Sequence, residues 1–211
     1  MDPLNIPHGL RYFGWHSGDL TDADRYILPI MVNLLPRHNN LVILDAGCGN
    51  GFISNFLTEM GHSVIGVDHS EDGIQVAKDH YPNVDCFSVY SVYDDFCLIT
   101  GPVDVVISIE VIEHLYSPRR FISNAFSILR PGGTIIMSTP YHGYMKNLAL
   151  SLFNFWDMHF SVNWEGGHIK FFSKKTLNTL LIEAGFVDIR FKGVGRIYGF
   201  WKSMVCRAHK K

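Results

Sequence analysis

Two carboxylates and an imidazole follow an apolar stretch in "VDVVISIEVIEH", residues 103–114. The carboxylates belong to Glu110 and Glu113, and the imidazole belongs to His114. If a helical turn begins at Glu110, these i, i+3 and i+4 positions lie on one side and the three groups converge. Such a group can bind a metal or perform acid–base chemistry. A solvated helix start is the alternative, because carboxylates favour the positive end of a helix.

A second candidate site is the glycine loop "LDAGCGNGF", residues 44–52, which follows one predicted strand and begins a predicted helix. Its three glycines let the backbone approach a ligand at the helix N-terminus. A dinucleotide fold has the spacing G-x-G-x-x-G, which would require glycine at position 52, and this position is Phe52. Asp68 ends the next predicted strand, where a carboxylate can accept hydrogen bonds from ribose hydroxyls.

The elements that position these residues alternate between strand and helix from residue 41 onwards. This rhythm predicts an α/β, Rossmann-like, mostly parallel sheet with helices on both faces. The predicted strands are 41–46, 63–68, 84–89, 103–109, 133–139, 187–193 and 200–208. The predicted helices are 22–35 with Thr21 as N-cap, 52–60, 71–80, 93–98, 118–129 (ended by "RPGG") and 174–184. Glu110 then lies beside the crevice where ligands bind in such sheets.

The chain of 211 residues predicts one domain. Within it we distinguish an N-terminal helical segment, a cofactor-binding core, an insertion at the acceptor site, and a closing helix with strands. These parts span residues 1–40, 41–139, 140–172 and 173–211, respectively.

Composition excludes several classes of protein. The chain is 47% hydrophobic and carries a formal net charge of -2, so it can fill a core and has no basic field that would favour a nucleic-acid partner. The four cysteines show neither zinc-site spacing nor the density of a disulfide scaffold, which predicts reduced thiols. We see no signal-peptide pattern and no apolar run of ~18 residues, and we therefore predict a cytoplasmic protein without a transmembrane segment.

Three segments resemble motifs of the class I S-adenosylmethionine-dependent methyltransferases. "LDAGCGNG" resembles their first motif, "VIGVDHS" their second, and "LRPGGTIIMSTP" the signature that follows their fourth strand. The resemblance covers about residues 40–140, and "FFSKKTLNTLLIEAGF" continues it. It implies S-adenosylmethionine as the cofactor and a sheet of seven strands whose last strand is antiparallel.

The resemblance also implies roles for individual residues. Asp45 and the glycine loop would hold the methionine part of the cofactor, Asp68 the ribose, and the turn near Ser91 the adenine. The full set of cofactor-binding residues implied in this way is Asp45, Gly47, Cys48, Gly49, Gly51, Asp68, His69, Ser91, Val92 and Ile109.

"EVIEH" is similar to the E-x-x-E-H of two branches of this family, the quinone-biosynthesis O-methyltransferases and the small-RNA 2'-O-methyltransferases. In those relatives the glutamates and the histidine ligate a divalent metal, which a later histidine can join. The resemblance thus implies Glu110, Glu113 and His114 as catalytic residues and, together with His168 of "EGGHIKFFS", as metal ligands. Mn²⁺, Fe²⁺, Co²⁺ or Zn²⁺ would suit this set at least as well as Mg²⁺.

Alternatives to this set remain. His168 could be a loop histidine without a partner, and His142 and His159 are further candidate ligands. Without a metal, His114 would be the natural general base.

Apolar residues at helical spacing in residues 143–160 of the insertion predict one amphipathic helix. Its apolar face is formed by Met145, Leu148, Ala149, Leu152, Phe153 and Trp156. This face could pack on its own domain, cover an apolar acceptor as a lid, or contact a membrane surface. The aromatic cluster "YFGWHSG", residues 12–18, could likewise lie over the ligand edge of the sheet or fill the core.

These observations predict a methyltransferase that uses S-adenosylmethionine, with metal-assisted O-methylation of a small molecule bearing adjacent hydroxyls. A small-RNA 2'-O-methyltransferase and a catalytically inactive cofactor-binding regulator are the alternatives. The glycine spacing disfavours a nicotinamide dehydrogenase.

Overall fold

A computed structural model of the chain describes Trp15, residues 17–84, 86–160, Asn163 and residues 166–211. Parts of three predicted features lie outside the described residues. They are most of the aromatic cluster 12–18, position 85 of the third predicted strand, and position 165 before His168.

Seven strands form one sheet in the order β3-β2-β1-β4-β5-β7-β6. They are β1 (Val42–Ala46), β2 (Ser63–Asp68), β3 (Cys86–Val89), β4 (Val103–Ser108), β5 (Leu129–Pro140), β6 (Val187–Val194) and β7 (Ser203–His209). The pairs among the first five strands are parallel, whereas β7 is antiparallel to both of its neighbours. The predicted Rossmann-like sheet, including its antiparallel last strand, is confirmed.

The helices are α1 (Asp24–Leu34), α2 (Phe52–Glu59), α3 (Glu71–His80), α4 (Pro118–Ile128), α5 (Tyr144–Leu152), α6 (Trp156–His159) and α7 (Lys174–Glu183). Short 3₁₀ helices cover Phe96–Leu98 and Ile112–His114. Within the described part of the chain, no helix has the length and apolar character needed to cross a bilayer.

Apolar side chains pack on both faces of the sheet because the central strands are buried on both sides. On one face, Leu44 and Val106 belong to a cluster with Phe121 of α4 and Leu181 of α7. On the other, alternate strand residues join a cluster with α1 and α2, formed around Ile43, Val105, Ile107, Ile27, Met31 and Leu57. This packing holds the ends of β1, β2 and β4 in fixed relative positions.

Most helix and strand boundaries lie within two residues of the predicted ones. The prediction of Thr21 as N-cap is wrong, because α1 begins at Asp24 with Ala23 as its N-cap and no capping side chain. Thr21 instead forms reciprocal hydrogen bonds with Asp24 from the turn before the helix: the Thr21 amide donates to the Asp24 carboxylate at 2.9 Å, and the Asp24 amide donates to the Thr21 hydroxyl at 3.2 Å. Two strands begin three or more residues away from the predicted position. β5 begins at Leu129, before the Pro-Gly-Gly turn, with a register shift against β4, and β7 begins at Ser203 rather than at position 200.

The prediction of one helix over residues 143–160 is wrong, because two helices occupy this segment. Asn154 adopts a left-handed conformation with φ 53°, and the Phe155 amide donates to the Leu150 carbonyl at 2.9 Å. This is the hydrogen bond of a Schellman motif, in which asparagine is tolerated at the left-handed position. α5 therefore ends at Leu152, and the chain changes direction before α6.

Candidate active site

A cavity of about 480 Å³ lies at the carboxyl ends of β1, β2 and β4, where the strand order reverses. This is the position at which open α/β sheets bind ligands. Its walls are formed by the N-terminal segment, the glycine loop, the ends of the strands and the segment before α7. The lining residues are Trp15, Thr21, Ala23, Asp24, Asp45, Gly47, Cys48, Gly49, Asn50, Ile53, Asp68, His69, Ser91, Val92, Tyr93, Ile109, Glu110, Val111, His114, Leu115, Tyr116, Gly166, Gly167 and Ile169.

All but one of the predicted cofactor-binding residues line this cavity. The exception is Gly51, which has φ 80° at the N-cap of α2. A Cβ at this position would lie 2.7 Å from the side chain of Ala77, so Gly51 serves the packing of α2 against α3.

The glycine loop is tied to the end of β2 by the Asp68 carboxylate. One oxygen of Asp68 accepts from the Gly49 amide at 2.9 Å, and the other accepts from the Ser70 amide at 2.8 Å. Each carboxylate oxygen has a second lone pair, so Asp68 keeps acceptor capacity for ligand hydroxyls.

Trp15 covers the glycine loop, a contact that the sequence did not identify. A Cβ added at Gly49 would lie 2.4 Å from the Trp15 ring, so only glycine permits this approach. The Asn50 amide group donates to the carbonyls of Ser17 and Asp19, at 2.9 Å each, and holds the segment in place. The predicted aromatic cluster was the available signal for Trp15, whereas nothing in the sequence distinguished Asn50.

Asp45 is a buried carboxylate in the floor of the cavity, with 1% of its surface exposed. Its carboxylate accepts a hydrogen bond from the Ser54 hydroxyl at 2.6 Å. Burial is the main cause that raises the pKa of Asp45 to about 7, and the charge of Asp68 acts in the same direction. A ligand cation placed near Asp45 would be stabilised by this carboxylate.

Glu113, His114 and His168 form one cluster, in which one potential ligand atom from each residue lies within 4.8 Å of the others. Glu113 is fully buried, and neither of its carboxylate oxygens has a hydrogen-bond partner among the described residues. Its backbone carbonyl accepts from the amides of Ile169 and Lys170 at 2.9 Å each. These bonds fix the segment that carries His168 against the 3₁₀ turn.

Electrostatics of this cluster follow from burial. Burial raises the pKa of Glu113, and the neighbouring Glu110 charge raises it further. Burial lowers the pKa of His114, and burial followed by the charge of His114 lowers the pKa of His168 to about 4. Both imidazoles are therefore neutral near pH 7 and can act as ligands or proton acceptors.

The ring of His114 is oriented by the Gly167 carbonyl, which lies 3.2 Å from its Nδ1. A carbonyl oxygen only accepts, so in this contact Nδ1 carries the proton. In the neutral ring, Nε2 then holds the lone pair.

Glu110 does not belong to this cluster, which differs from the predicted helical turn. Its backbone is left-handed with φ 52°, and the 3₁₀ helix begins only at Ile112. The Glu110 carboxylate accepts from the Ser138 hydroxyl at 2.7 Å and from the Ser203 hydroxyl at 3.1 Å. Burial raises the pKa of Glu110 to about 7 despite these bonds. Its side chain is therefore held by hydroxyls of β5 and β7.

The predicted apolar face of the insertion is exposed to solvent, which contradicts its packing on the domain. Met145 is 50% exposed, Leu152 71% and Phe153 65%. The buried residue of α5 is instead a cation, Lys146, which is 7% exposed.

Comparison with known proteins identifies the family. A family model described as "Methyltransferase domain" matches residues 21–190. A probable S-adenosylmethionine-dependent methyltransferase of Mycobacterium tuberculosis is 29% identical over 164 residues, which are 76% of this chain and 54% of that protein. A ubiquinone biosynthesis O-methyltransferase of Coxiella burnetii is 36% identical over 99 residues, which are 46% of this chain and 42% of that protein. The chain thus matches about half or less of the length of these relatives.

Solved structures share the fold at low sequence identity. The magnesium protoporphyrin IX methyltransferase of Synechocystis, solved with bound S-adenosylhomocysteine, has a TM-score of 0.64 at 21% identity, covering 88% of this chain and 79% of its own. A methyltransferase of Archaeoglobus fulgidus has a TM-score of 0.67 at 18% identity, covering 87% and 91% of the two chains. The chain therefore belongs to the methyltransferase-domain family, and it has the fold of the class I S-adenosylmethionine-dependent methyltransferases.

Proposed function

We propose that this methyltransferase methylates an oxygen of a small molecule with two adjacent hydroxyls, and that a divalent metal bound by Glu113, His114 and His168 assists the reaction. The observation that carries the proposal is the Glu113 carboxylate, which is fully buried beside two neutral imidazoles. Neither of its oxygens has a hydrogen-bond partner among the described residues, and the His168 Nε2 lies 4.0 Å from one of them. An uncompensated buried carboxylate is costly, and a cation between these three side chains would remove the cost.

The donor set fits a divalent transition metal. One carboxylate and two imidazoles suit Mn²⁺, Fe²⁺, Co²⁺ or Zn²⁺. When bound, such an ion would supply Lewis acidity, which lowers the pKa of a hydroxyl in contact with it. The name of the Coxiella burnetii relative, an O-methyltransferase, supports oxygen as the methyl-accepting atom.

The protein's own residues would perform three tasks. Asp45, the glycine loop and Asp68 would hold the cofactor in the cavity, whose wall also includes Glu110 and His114 after β4. A sulfonium is already electrophilic, so the remaining tasks are to align the acceptor and to accept its proton. His114 lines the cavity, and its Nε2 lone pair is suited to accept that proton or to ligate the ion.

Metal binding is tested directly with Mn²⁺ by equilibrium dialysis of the chelator-treated protein. We expect one site, and we expect Glu113→Ala to weaken it by more than ~100-fold, because even partners of metal ligands change metal affinity by 10- to 100-fold. Glu59→Ala, which removes an exposed carboxylate of α2, is the matched control. Glu110→Gln should retain Mn²⁺ affinity, since Ser138 and Ser203 hold that carboxylate.

Function is tested by methyl transfer to catechol, a probe with adjacent hydroxyls. Chelation should abolish transfer and spare binding of S-adenosylhomocysteine in calorimetry, and Mn²⁺ should restore transfer. Full activity of metal-stripped protein in a strong chelator would refute the metal and leave His114 as the base. Normal Mn²⁺ affinity in His168→Ala would remove only that ligand from the set.

A further inference from the structure

Lys146 is the buried residue of α5. It is 7% exposed, whereas Tyr144 and Met145 beside it are 78% and 50% exposed. Its ammonium forms no hydrogen bond or ion pair with any residue that the structure describes. Lysine is almost never buried without a partner, because removing an unpaired ammonium from water is costly. The position of Lys146 therefore suggests a negative partner supplied from outside the chain.

Charges around Lys146 do not neutralise it. Burial first, and then the nearby Arg196 guanidinium, lower the pKa of Lys146 to about 8. The Glu110 charge acts in the opposite direction, but its carboxylate already accepts hydrogen bonds from Ser138 and Ser203. The nearest counter-charge is thus held by two serines and forms no ion pair with Lys146 among the described residues.

Aromatic rings pack together around His142, just before α5 begins. We call the rings of His142, Phe160 and Phe171 the aromatic wall. His142, 7% exposed, is stacked on Phe160 at 5.6 Å and 18°, and lies edge-on to Phe171 at 5.1 Å. Its Nε2 has no hydrogen-bond partner among the described residues. His159 lies 6.0 Å from His142, measured between ring centroids. Aromatic walls of this kind bind planar rings by stacking and edge contacts.

Lys146 and this wall adjoin the proposed reaction centre. Phe171 of the wall directly follows Ile169 and Lys170, whose amides donate to the Glu113 carbonyl at 2.9 Å each. The His142 amide donates to the Phe172 carbonyl at 3.2 Å, which ties His142 to the same segment, and α5 with Lys146 begins two residues after His142. Backbone hydrogen bonds therefore place the wall beside the Glu113 cluster, and the first turn of α5 brings Lys146 next to the wall.

We infer that Lys146 binds a carboxylate or phosphate group of the methyl acceptor while the wall of His142, Phe160 and Phe171 contacts its ring. The acceptor then carries an anionic group in addition to its two hydroxyls. This inference rests on the proposed function for the two adjacent hydroxyls that the acceptor would carry elsewhere on its ring. Lysine acts here as a point charge, which can pair with either anion.

The inference is tested by binding, without metal and without methyl transfer. The full chain is saturated with S-adenosylhomocysteine in a chelating buffer and titrated in a calorimeter with benzoate, phenyl phosphate and benzamide. We expect at least one anion to bind at least about tenfold more tightly than the neutral benzamide. The stronger of the two anions identifies the group, carboxylate or phosphate. Because no probe has adjacent hydroxyls, a failure of the metal or of O-methylation leaves the result unaffected.

Variants at position 146 test whether Lys146 causes the preference for the anion. Lys146→Met should abolish the preference for the anion, whereas Lys146→Arg should retain it. Lys175→Met, at an exposed position of α7, removes the same charge from the surface and should change nothing. If Lys146→Met does not fold, judged by circular dichroism, Lys146→Gln provides the same comparison.

Three results would overturn the inference: no binding of either anion, equal binding of benzoate and benzamide, or an anion preference that persists without the lysine. The last of these, combined with a loss of turnover, would instead make Lys146 a proton acceptor in the reaction.

Discussion

Asp68 connects the end of β2 to the glycine loop of the candidate cofactor site. Its two oxygens bind the amides of Gly49 and Ser70, so the side chain orders the glycine loop before any ligand arrives. A ribose bound at the remaining lone pairs would therefore meet a carboxylate that is already fixed in orientation.

We predict that Asp68→Ala weakens binding of S-adenosylmethionine and S-adenosylhomocysteine by about 1–3 kcal/mol, the scale of hydrogen bonds to a charged group. Calorimetry measures this loss, and NAD should not bind to either protein. Asp72→Ala, at an exposed position of α3, is the control and should leave the affinity unchanged. Unchanged affinity in Asp68→Ala, or tight binding of NAD, would contradict the assignment of Asp68 to the ribose.

At the scale of residues, the sequence predicted which residue types form the candidate site. It did not predict the direction in which each side chain points. Glu113, His114 and His168 were predicted as ligands and do converge. Glu110 was predicted to join them, but its left-handed backbone directs it to hydroxyls that lie 28 and 93 residues away in the sequence. Non-glycine residues adopt this conformation rarely, and distant contacts select it, so no local pattern announces it.

At the scale of elements, regular periodicity explains what could be predicted. The parallel strands are near-continuous runs of Val, Ile and Leu between glycine-rich turns, which is typical of strands buried on both faces. In the insertion, helical spacing predicted a helix correctly over Tyr144–Leu152 but not its end or its orientation. The Schellman turn at Asn154 and the burial of Lys146 reverse what a hydrophobic pattern favours.

We predict that Leu152→Asp together with Phe153→Asp leaves the fold and the affinity for S-adenosylhomocysteine intact, because both side chains are mostly exposed. If α5 and α6 cover an apolar acceptor as a lid, the double variant should lower turnover of that acceptor. Circular dichroism, calorimetry and methyl-transfer rates measure the three quantities. Ser151→Asp, on the same helix, is the control for added charge.

Unfolding of this double variant would show that the face belongs to the core after all. Unchanged turnover, combined with loss of binding to phospholipid vesicles, would indicate that the exposed face contacts a membrane surface instead of the acceptor.

At the scale of the whole molecule, the site concentrates buried ionisable groups whose effects on stability oppose each other. Burial raises the pKa of Asp45 and of Glu110 to about 7 each. Burial also lowers the pKa of His142 and of His168 to about 4 each. The raised carboxyls make folding less favourable as pH rises, and the lowered imidazoles make it less favourable as pH falls. The contribution of one group to the pH dependence of stability is therefore measured by comparing the wild type with a variant that lacks this group.

We predict that Asp45→Asn changes the pH dependence of stability in a defined direction. In the wild type, the folded Asp45 binds more protons than the unfolded residue between pH 3.8 and about 7. Its contribution to the free energy of unfolding therefore falls with rising pH through this window and is constant above it. Between pH 5 and pH 8 the wild type should lose roughly 2–3 kcal/mol relative to Asp45→Asn, since the slope is ~1.4 kcal/mol per pH unit.

Urea denaturation of cofactor-free protein at several pH values measures this difference, and the histidine contributions cancel because both proteins share them. Asp79→Asn, at an exposed position of α3, should give a profile parallel to that of the wild type. If the methionine ammonium of the cofactor binds beside Asp45, saturation with S-adenosylmethionine should lower the pKa of this carboxyl and flatten the wild-type profile, because the positive charge favours the ionised form. Parallel profiles of wild type and Asp45→Asn would mean that Asp45 ionises in the folded protein as it does in the unfolded chain.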